Sequence, residues 1–259
     1  MLVRYSPAPR RFLKGFTLIE LLVVMAIIGI LAALLSTGVE PAKINSQRKI
    51  CQAEEVNLVT AIGQYYATYA RLPTSTNAVY AVTNSDFTFG TSLTGSRGQL
   101  ASMPAIPGAT GGIITSNSSY QNNNSELMAI LRDDVYYPEY STNGGQVQGH
   151  IYDPQQTVFY QGRVAAGPPT IGVGPGSPGI GTDEIIRDPW GLPYIVTLDL
   201  SGDGRVLDPY LNQMYQNQYP GTTLMVPGQA VVWSFGPTRQ IDLTMGSKSA
   251  ANKYMVTSF

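Results

Sequence analysis

Charged and apolar residues fall into separate blocks over the first forty residues of the chain. Residues 1–15 contain basic side chains and no acidic ones. Between Glu20 and Glu40 lie 19 residues without a charge, most of them apolar. As a helix, this run is about 28 Å long, close to the ~30 Å hydrocarbon core of a bilayer. The pattern predicts a transmembrane helix whose basic flank stays on the cytoplasmic side.

After Glu40 the pattern changes from uniformly apolar to amphipathic. Apolar side chains recur at spacings of four, three and four residues, which predicts a helix with one buried face; they are Leu58, Ile62, Tyr65 and Tyr69. Cys51 lies seven residues before Leu58, so we expect it to be a small core side chain on the same face. Pro41 should kink or break the helix, and Leu72-Pro73 should end it.

The middle of the chain carries few periodic signals. Residues 74–124 are rich in polar and small side chains and predict a loop. A short helix is predicted over 126–132, with Ser125 as its N-cap.

The last third of the chain carries strand signals. The segments 194–198 and 230–235 are rich in β-branched and aromatic residues and predict strands. Before the first of them, Asp188-Pro189-Trp190-Gly191 matches a type I turn.

Composition narrows the possible functions. The chain has 259 residues, a formal net charge of −1, one Cys and one His. The single Cys excludes an intrachain disulfide, and the single His excludes a multi-histidine metal site. The balanced charge gives no basic surface for nucleic acid. Without a motif that combines a nucleophile, a base and an orienting group, we expect a protein that is not an enzyme.

A secretory signal peptide and a plain membrane anchor are two alternative interpretations of the N-terminal block. Ala33, Ser36 and Gly38 could supply a signal-peptide cleavage site. Neither alternative explains Glu20, because a carboxylate in an apolar helix costs roughly 2.5–3.5 kcal/mol near the bilayer centre. Neither explains a Gly at position 15, where charge gives way to apolarity.

The heptapeptide Lys14-Gly15-Phe16-Thr17-Leu18-Ile19-Glu20 resembles the type III signal of type IV pilins and type II secretion pseudopilins. The resemblance implies that a prepilin peptidase cleaves between Gly15 and Phe16 and that the new N-terminal Phe16 is N-methylated. It also implies an assembly role for Glu20. Physically, the carboxylate of Glu20 is a suitable partner for the α-amino group of Phe16 in a neighbouring subunit. The alternative is a Glu20 that simply lies at headgroup level.

Two C-terminal segments extend the resemblance. The stretches 187–194 and 232–237 resemble the C-terminal sheet of major pseudopilins of type II secretion. The resemblance implies an α+β, pilin-like fold, in which a long N-terminal helix packs on a small antiparallel C-terminal sheet. The expected segments are a cleaved leader at 1–15, a transmembrane and assembly half of the helix at 16–39, an amphipathic half at 40–73, a loop-rich insertion at 74–186 and a sheet region at 187–259.

Calcium is the only cofactor to consider, and no other is expected. Major pseudopilins bind calcium in a C-terminal loop, but here Thr238 and Tyr254 stand at positions where relatives have Asp, and only Asp242 remains. A second acidic loop supplies Asp199, Ser201, Asp203 and, further on, Asp208 as candidate ligands. Two interpretations stay open for this loop, a weak calcium site and a hairpin turn. The missing bidentate ligand favours the turn.

The resemblance implies a structural function. The expected protein is a pseudopilin that polymerises through its N-terminal helix into a periplasmic pseudopilus, for protein export by a type II secretion-like system. Before assembly it would cross the bacterial inner membrane once, with its C-terminal domain in the periplasm. The implied partners are prepilin peptidase, other copies of the chain, minor pseudopilins, an inner-membrane assembly platform and membrane lipid, but not nucleic acid. The alternatives are a type IV pilin of a surface filament and a membrane-anchored periplasmic binding protein or enzyme.

Overall fold

The computed structural model describes residues 16–82, 85–91, 123–134, 149–167, 176–243, 249 and 252–259. The predicted leader at 1–15 therefore lies outside the described residues. The chain divides into two compact units, residues 1–45 and 46–259. Helix α1 (Leu18–Tyr69) supplies the described helix of the first unit and continues as the first helix of the second.

The remaining elements belong to the second unit. The helices are α2 (Thr76–Ala81), α3 (Ser125–Arg132), α4 (Gly149–Tyr152) and α5 (Pro209–Gln218). The strands are β1 (Phe87–Phe89), β2 (Gly179–Ile180), β3 (Ile186–Arg187), β4 (Ile195–Leu198), β5 (Arg205–Val206), β6 (Val226–Pro227), β7 (Ala230–Ser234) and β8 (Val256–Thr257). An antiparallel sheet has the order β1-β4-β7-β8, while β2 pairs with β3 and β5 with β6. The predicted α+β fold, a long N-terminal helix followed by a small antiparallel sheet, is confirmed.

Helix α1 differs from expectation at two points. It continues through Pro41 without interruption, so the predicted break is wrong. Residues 39–43 are exposed, so water can reach the backbone where Pro41 donates no hydrogen bond. The helix ends at Tyr69, before Leu72-Pro73, because Ala70 adopts a left-handed backbone with φ of 53°. Its N–H still bonds to the carbonyl of Tyr66 at 2.8 Å, which closes the last turn.

The sheet separates two hydrophobic clusters. Because side chains alternate along a strand, Val196 and Val232 point to the cluster that contains the buried face of α1, which includes Leu58. Ile195, Val231 and Trp233 point to the cluster that contains α5; the α5 members are Tyr210, Leu211 and Met214. The second unit is thus layered as helix, sheet and helix.

Strand β1 was not predicted, because it lies within the segment expected to form a loop. Phe87, Thr88 and Phe89 pair with Leu198, Thr197 and Val196 of β4. Three residues are too few to show an alternating pattern, and all three are buried. Helix α2 also lies in the predicted loop. The described residues of this range therefore include a helix, a strand and core side chains such as Ala78 and Phe87.

Helix α3 runs over Ser125–Arg132, the region for which the sequence predicts a short helix. Its cap differs from the prediction, because Ser125 is the first helical residue. The side chain of Asn123 accepts hydrogen bonds from the backbone N–H of Ser125 at 3.1 Å and from its hydroxyl at 2.5 Å. Asn124 points instead into the sheet region, where it donates to the carbonyls of Ile186 and Tyr194.

A buried carboxylate joins α5 to the sheet. Asp208 caps α5 by accepting from the backbone N–H groups of Tyr210 and Leu211, both at 2.9 Å. Its second oxygen accepts from the hydroxyl of Thr197 at 2.6 Å and from the indole N–H of Trp233 at 2.9 Å. The same carboxylate therefore connects α5, β4 and β7.

Replacement of Asp208 should destabilise the protein strongly. Asp208→Ala removes the cap and leaves the buried N–H of Trp233 and hydroxyl of Thr197 without their acceptor, which should cost about 3 kcal/mol. Urea unfolding of the full chain in detergent measures the loss. The control is Asp203→Ala, since Asp203 is exposed and accepts from the local N–H of Arg205. Equal stability losses in the two variants would contradict the role of Asp208.

Candidate functional site

The N-terminal end of α1 carries a reciprocal hydrogen-bonded cap. The side chain of Glu20 accepts from the backbone N–H of Thr17 at 2.9 Å and from its hydroxyl at 2.7 Å. The hydroxyl of Thr17 in turn accepts from the backbone N–H of Glu20 at 3.4 Å. This arrangement is a capping box, with Thr17 as N-cap and Glu20 as third residue of the helix. It satisfies two backbone donors that a helix start leaves unpaired.

The capping box gives Glu20 a role within its own subunit. Phe16 precedes the helix, and 76% of its surface is exposed. Gly15, the other residue of the predicted cleavage site, lies outside the described residues. The structure therefore places Phe16 in an accessible position next to the cap, while Glu20 is close enough to order the first turn.

The first half of α1 exposes its apolar side chains on all sides. Every residue from Phe16 to Ala33 is exposed, including Leu18 at 87% and Ile19 at 71%. In the part of the chain that the structure describes, no helix has the combination of length and apolarity that crossing a membrane requires.

The acidic loop after β4 forms a turn held by its own backbone. One oxygen of Asp199 accepts from the backbone N–H of Gly202 at 2.7 Å and from the hydroxyl of Ser201 at 3.0 Å. The other accepts from the N–H of Gly204 at 2.8 Å. Asp203 accepts from the N–H of Arg205 at 2.9 Å. These contacts are those of a turn in which Asp side chains bond local N–H groups, as the favoured interpretation expects. The predicted hairpin is wrong, because the flanking strands β4 and β5 pair with other strands and not with each other.

The other two candidate calcium ligands lie elsewhere. Asp208 does not join Asp199 and Asp203, because its carboxylate is buried between α5 and the sheet. Asp242 pairs its backbone with the side chain of Asn252. Among the described residues, no group of three or more His, Cys, Asp or Glu side chains is placed to hold a metal ion.

Two positively charged side chains, one from α1 and one from the C-terminal loop, lie near Tyr254, a position where relatives have a calcium ligand. The guanidinium of Arg48 lies 5.8 Å from the ring centroid of Tyr254, and the ammonium of Lys253 lies 5.2 Å from it. Two cations beside Tyr254 disfavour a divalent cation at this position. Both electrostatics and the ligand set therefore oppose an inherited calcium site.

A buried acidic cluster lies where α1 meets the turn before β4. Cys51 and Glu55, one helical turn apart on α1, are both completely buried. Asp188 is also completely buried and accepts from the backbone N–H groups of Trp190 and Leu192, both at 2.9 Å. Its other oxygen accepts from the hydroxyl of Ser234 on β7 at 2.6 Å.

Burial controls the electrostatics of this cluster. Desolvation raises the pKa of Glu55 to about 9, and the charges of Asp188 and Glu54 add to the shift, whereas the Cys51 hydrogen bond opposes it. Desolvation also raises the pKa of Asp188, but hydrogen bonds from Ser234 and from backbone N–H groups limit it to about 6. The pKa of the Cys51 thiol is raised, chiefly by burial, so this thiol is a core side chain and not an activated nucleophile.

Two of these features escaped the sequence interpretation although signals were present. The spacing Thr17-x-x-Glu20 is that of a capping box. Glu55 lies four residues after Cys51 and three before Leu58, which places it on the buried helix face. Its charge masks this signal, since Glu is rarely buried without a partner.

Calcium should leave the stability of the protein unchanged. An ion bound only to the folded state, at ~100 Kd, would add about 2.7 kcal/mol and raise the melting temperature. Because Asp199 and Asp203 bond to local N–H groups and Asp242 lies apart from them, we expect no shift on adding calcium at sub-millimolar concentration. Thermal unfolding with calcium, with magnesium and with neither measures the effect.

Two variants, Asp203→Ala and Asp242→Ala, would locate a calcium site if calcium did stabilise the protein. A rise of several degrees that is specific for calcium would contradict it. Loss of that rise in Asp203→Ala would then assign the acidic loop, and loss in Asp242→Ala the C-terminal loop.

Comparison with known proteins identifies the N-terminal region. Residues 10–36 match the family model described as the prokaryotic N-terminal methylation motif. Neither a curated protein nor a solved structure matches the chain. The matched residues contain the predicted cleavage pair Gly15-Phe16, the capping box and most of the apolar run. The chain therefore carries the prepilin-type signal of type IV pilins and pseudopilins.

Proposed function

We propose that this protein is a structural subunit, not an enzyme, that polymerises through the first half of α1 into a filament. The observation that carries the proposal is that every residue from Phe16 to Ala33 is exposed although most of these side chains are apolar. The prepilin-type signal at residues 10–36 supports it, because this signal is typical of pilin-like subunits and pseudopilins.

The energetics of the exposed segment favour assembly. Twelve large apolar side chains are exposed between Phe16 and Leu31. Burying the exposed surface of each would stabilise the protein by on the order of 1 kcal/mol. Their sum, on the order of 10 kcal/mol, is comparable to the net stability of a whole domain. Such a segment requires lipid or other copies of itself around it. We therefore propose that it lies in the inner membrane before assembly and among neighbouring subunits afterwards.

We further propose that the filament is the pseudopilus of a type II secretion-like system in the periplasm. The two C-terminal segments that resemble major pseudopilins, 187–194 and 232–237, are joined by the hydrogen bond from Ser234 to Asp188 at 2.6 Å. Because the two segments contact each other, we infer that this part of the chain shares a common origin with the C-terminal sheet of major pseudopilins. Minor pseudopilins and an inner-membrane assembly platform would be the further partners.

Deletion of the protein tests this proposal against its two alternatives. Loss of export of a folded protein supports the pseudopilus. Loss of surface filaments with export intact would indicate a type IV pilin instead. Loss of a catalytic or binding activity with both intact would indicate a membrane-anchored enzyme or binding protein.

The mature chain should begin at Phe16 and carry one N-methyl group. Prepilin peptidase would remove residues 1–15, and mass spectrometry of the membrane-extracted protein would show both changes. Gly15→Leu should keep the leader attached, because the bulky side chain blocks the cleavage site, whereas Gly15→Ala is the mild control. A mature chain that begins near Val39 would establish an ordinary signal peptide and contradict the proposal.

Charge, and not capping alone, should determine the role of Glu20 in assembly. Glu20→Val removes both the charge and the cap, whereas Glu20→Gln keeps an acceptor for Thr17 but loses the charge. If Glu20 pairs with the Phe16 amine of a neighbour, both variants should insert into the membrane yet incorporate poorly into filaments. Filament recovery by shearing and immunoblotting measures incorporation. Wild-type incorporation of Glu20→Gln would show that the cap suffices.

A further inference from the structure

Glu55 is a buried carboxyl group that lacks half of its hydrogen bonds. It is completely buried on α1. Its Oε1 accepts from the thiol of Cys51 at 3.5 Å. Its Oε2 is buried and has no hydrogen-bond partner among the described residues. Buried polar atoms are almost always paired, so an unpaired carboxyl oxygen calls for a physical explanation.

Among the described residues, the groups that shift the pKa of Glu55 include no cation. The titratable groups that act on it are Cys51 and Glu54 on its own helix and Asp188 in the turn before β4, and none of these described groups is a cation. Tyr194, on the same side of the cluster, bonds to Glu54 instead. The neighbouring Glu54 differs in this respect, since it accepts from the hydroxyl of Tyr194 at 2.6 Å and lies 3.5 Å from Arg163.

The same end of the interface between α1 and the sheet has other unpaired atoms. Nε of Arg48 and Nε1 of Trp190 are buried without a hydrogen-bond partner among the described residues. In contrast, the C-terminal end of α1 is held by hydrogen bonds from the Tyr65 hydroxyl to the carbonyl of Tyr152 and from the Tyr69 hydroxyl to Asp153. The N-terminal end of the docked helix also has bonds to the rest of the unit, from Gln47 to the carbonyl of Pro189 at 3.4 Å and from Tyr194 to Glu54 at 2.6 Å. Its unpaired buried atoms nevertheless make it a place where local opening can begin.

We propose that Glu55 is a proton-controlled latch: as a neutral acid it lets α1 lie against the sheet, and its ionisation releases the part of α1 around Cys51 and Glu55. The inference is independent of the filament proposal, because it concerns only contacts within the second unit. A neutral carboxyl group tolerates this apolar, acidic setting, whereas a carboxylate has no cation there to offset its desolvation.

The direction of the pH dependence follows from the raised pKa of Glu55. Its pKa is about 9 in the closed form and returns to about 4.5 when the helix is released and the group is solvated. Between these values the closed form binds one proton more than the open form. The latch is therefore most stable at low pH, and the open population rises about tenfold for each pH unit across this window.

The single cysteine provides a direct measurement. Cys51 is the only Cys in the chain and is completely buried, so it reacts with iodoacetamide only when this part of α1 opens. The rate at which iodoacetamide alkylates Cys51 should rise about tenfold per pH unit because the thiolate fraction rises. It should rise about tenfold more per pH unit because the open population also rises. In the full chain in detergent, the logarithm of the rate against pH, between about pH 6 and 8, should have a slope of about two.

Glu55→Gln is the decisive variant, because it preserves shape and cannot ionise. Its slope should fall to about one, the value for thiolate formation alone. Glu54→Gln is the matched control and should keep a slope of about two. A slope of one in the wild type would overturn the proposal even if Glu55→Gln failed to fold.

Denaturant dependence separates local release from unfolding of the whole protein. If only part of α1 is released, low urea concentrations should change the labelling rate much less than they change the global unfolding equilibrium. Identical urea dependences would mean that Cys51 is reached only by global unfolding, and they would overturn the latch.

Discussion

The packing of one helix face onto a sheet is the interaction on which the second unit depends. From Cys51 to Tyr65, α1 places a line of buried side chains on β4 and β7, and Phe87 and Phe89 of β1 complete the same cluster. Without this face the sheet would have a single covered side, because α5 covers only the other. The same helix exposes all its side chains between Phe16 and Ala33. One continuous helix thus combines a segment that needs partners with a segment that is already packed.

Two buried carboxylates organise the two sides of the sheet in similar ways. Asp208 connects α5, β4 and β7, and Asp188 connects its own turn to Ser234 at the end of β7. Each carboxylate accepts from backbone N–H groups and from side chains, so each buried charge has its hydrogen bonds satisfied. Glu55 lies beside Asp188 but lacks such donors, which explains why burial raises its pKa to about 9, whereas that of Asp188 is raised only to about 6.

The capping box at the start of α1 gives Glu20 a role within its own chain in addition to the contact between subunits that the resemblance implies. The resemblance to pilins implies a contact between subunits, but within one chain the carboxylate already bonds to Thr17. A capping interaction is worth about 1 kcal/mol, so a stronger charge pair with a neighbouring amine can replace it. The carboxylate of Glu20 is therefore already hydrogen-bonded before assembly.

Local sequence patterns determined the long helix, the strands near Ile195 and Ala230, the turn at Asp188 and the N-terminal signal, because each depends on neighbours a few residues away. The turn bond from the N–H of Gly191 to the carbonyl of Asp188, at 2.9 Å, is such a case. The start of α5 also has a local signal, an Asp followed by Pro at the first helical position. Only the tertiary structure decided that β1 belongs to the sheet, that Asp208 turns away from the acidic loop and that Glu55 is buried without a cation. These depend on segments as far apart as Thr88 and Thr197, whose hydroxyls meet at 3.0 Å, and contacts over such distances leave no periodicity in the chain.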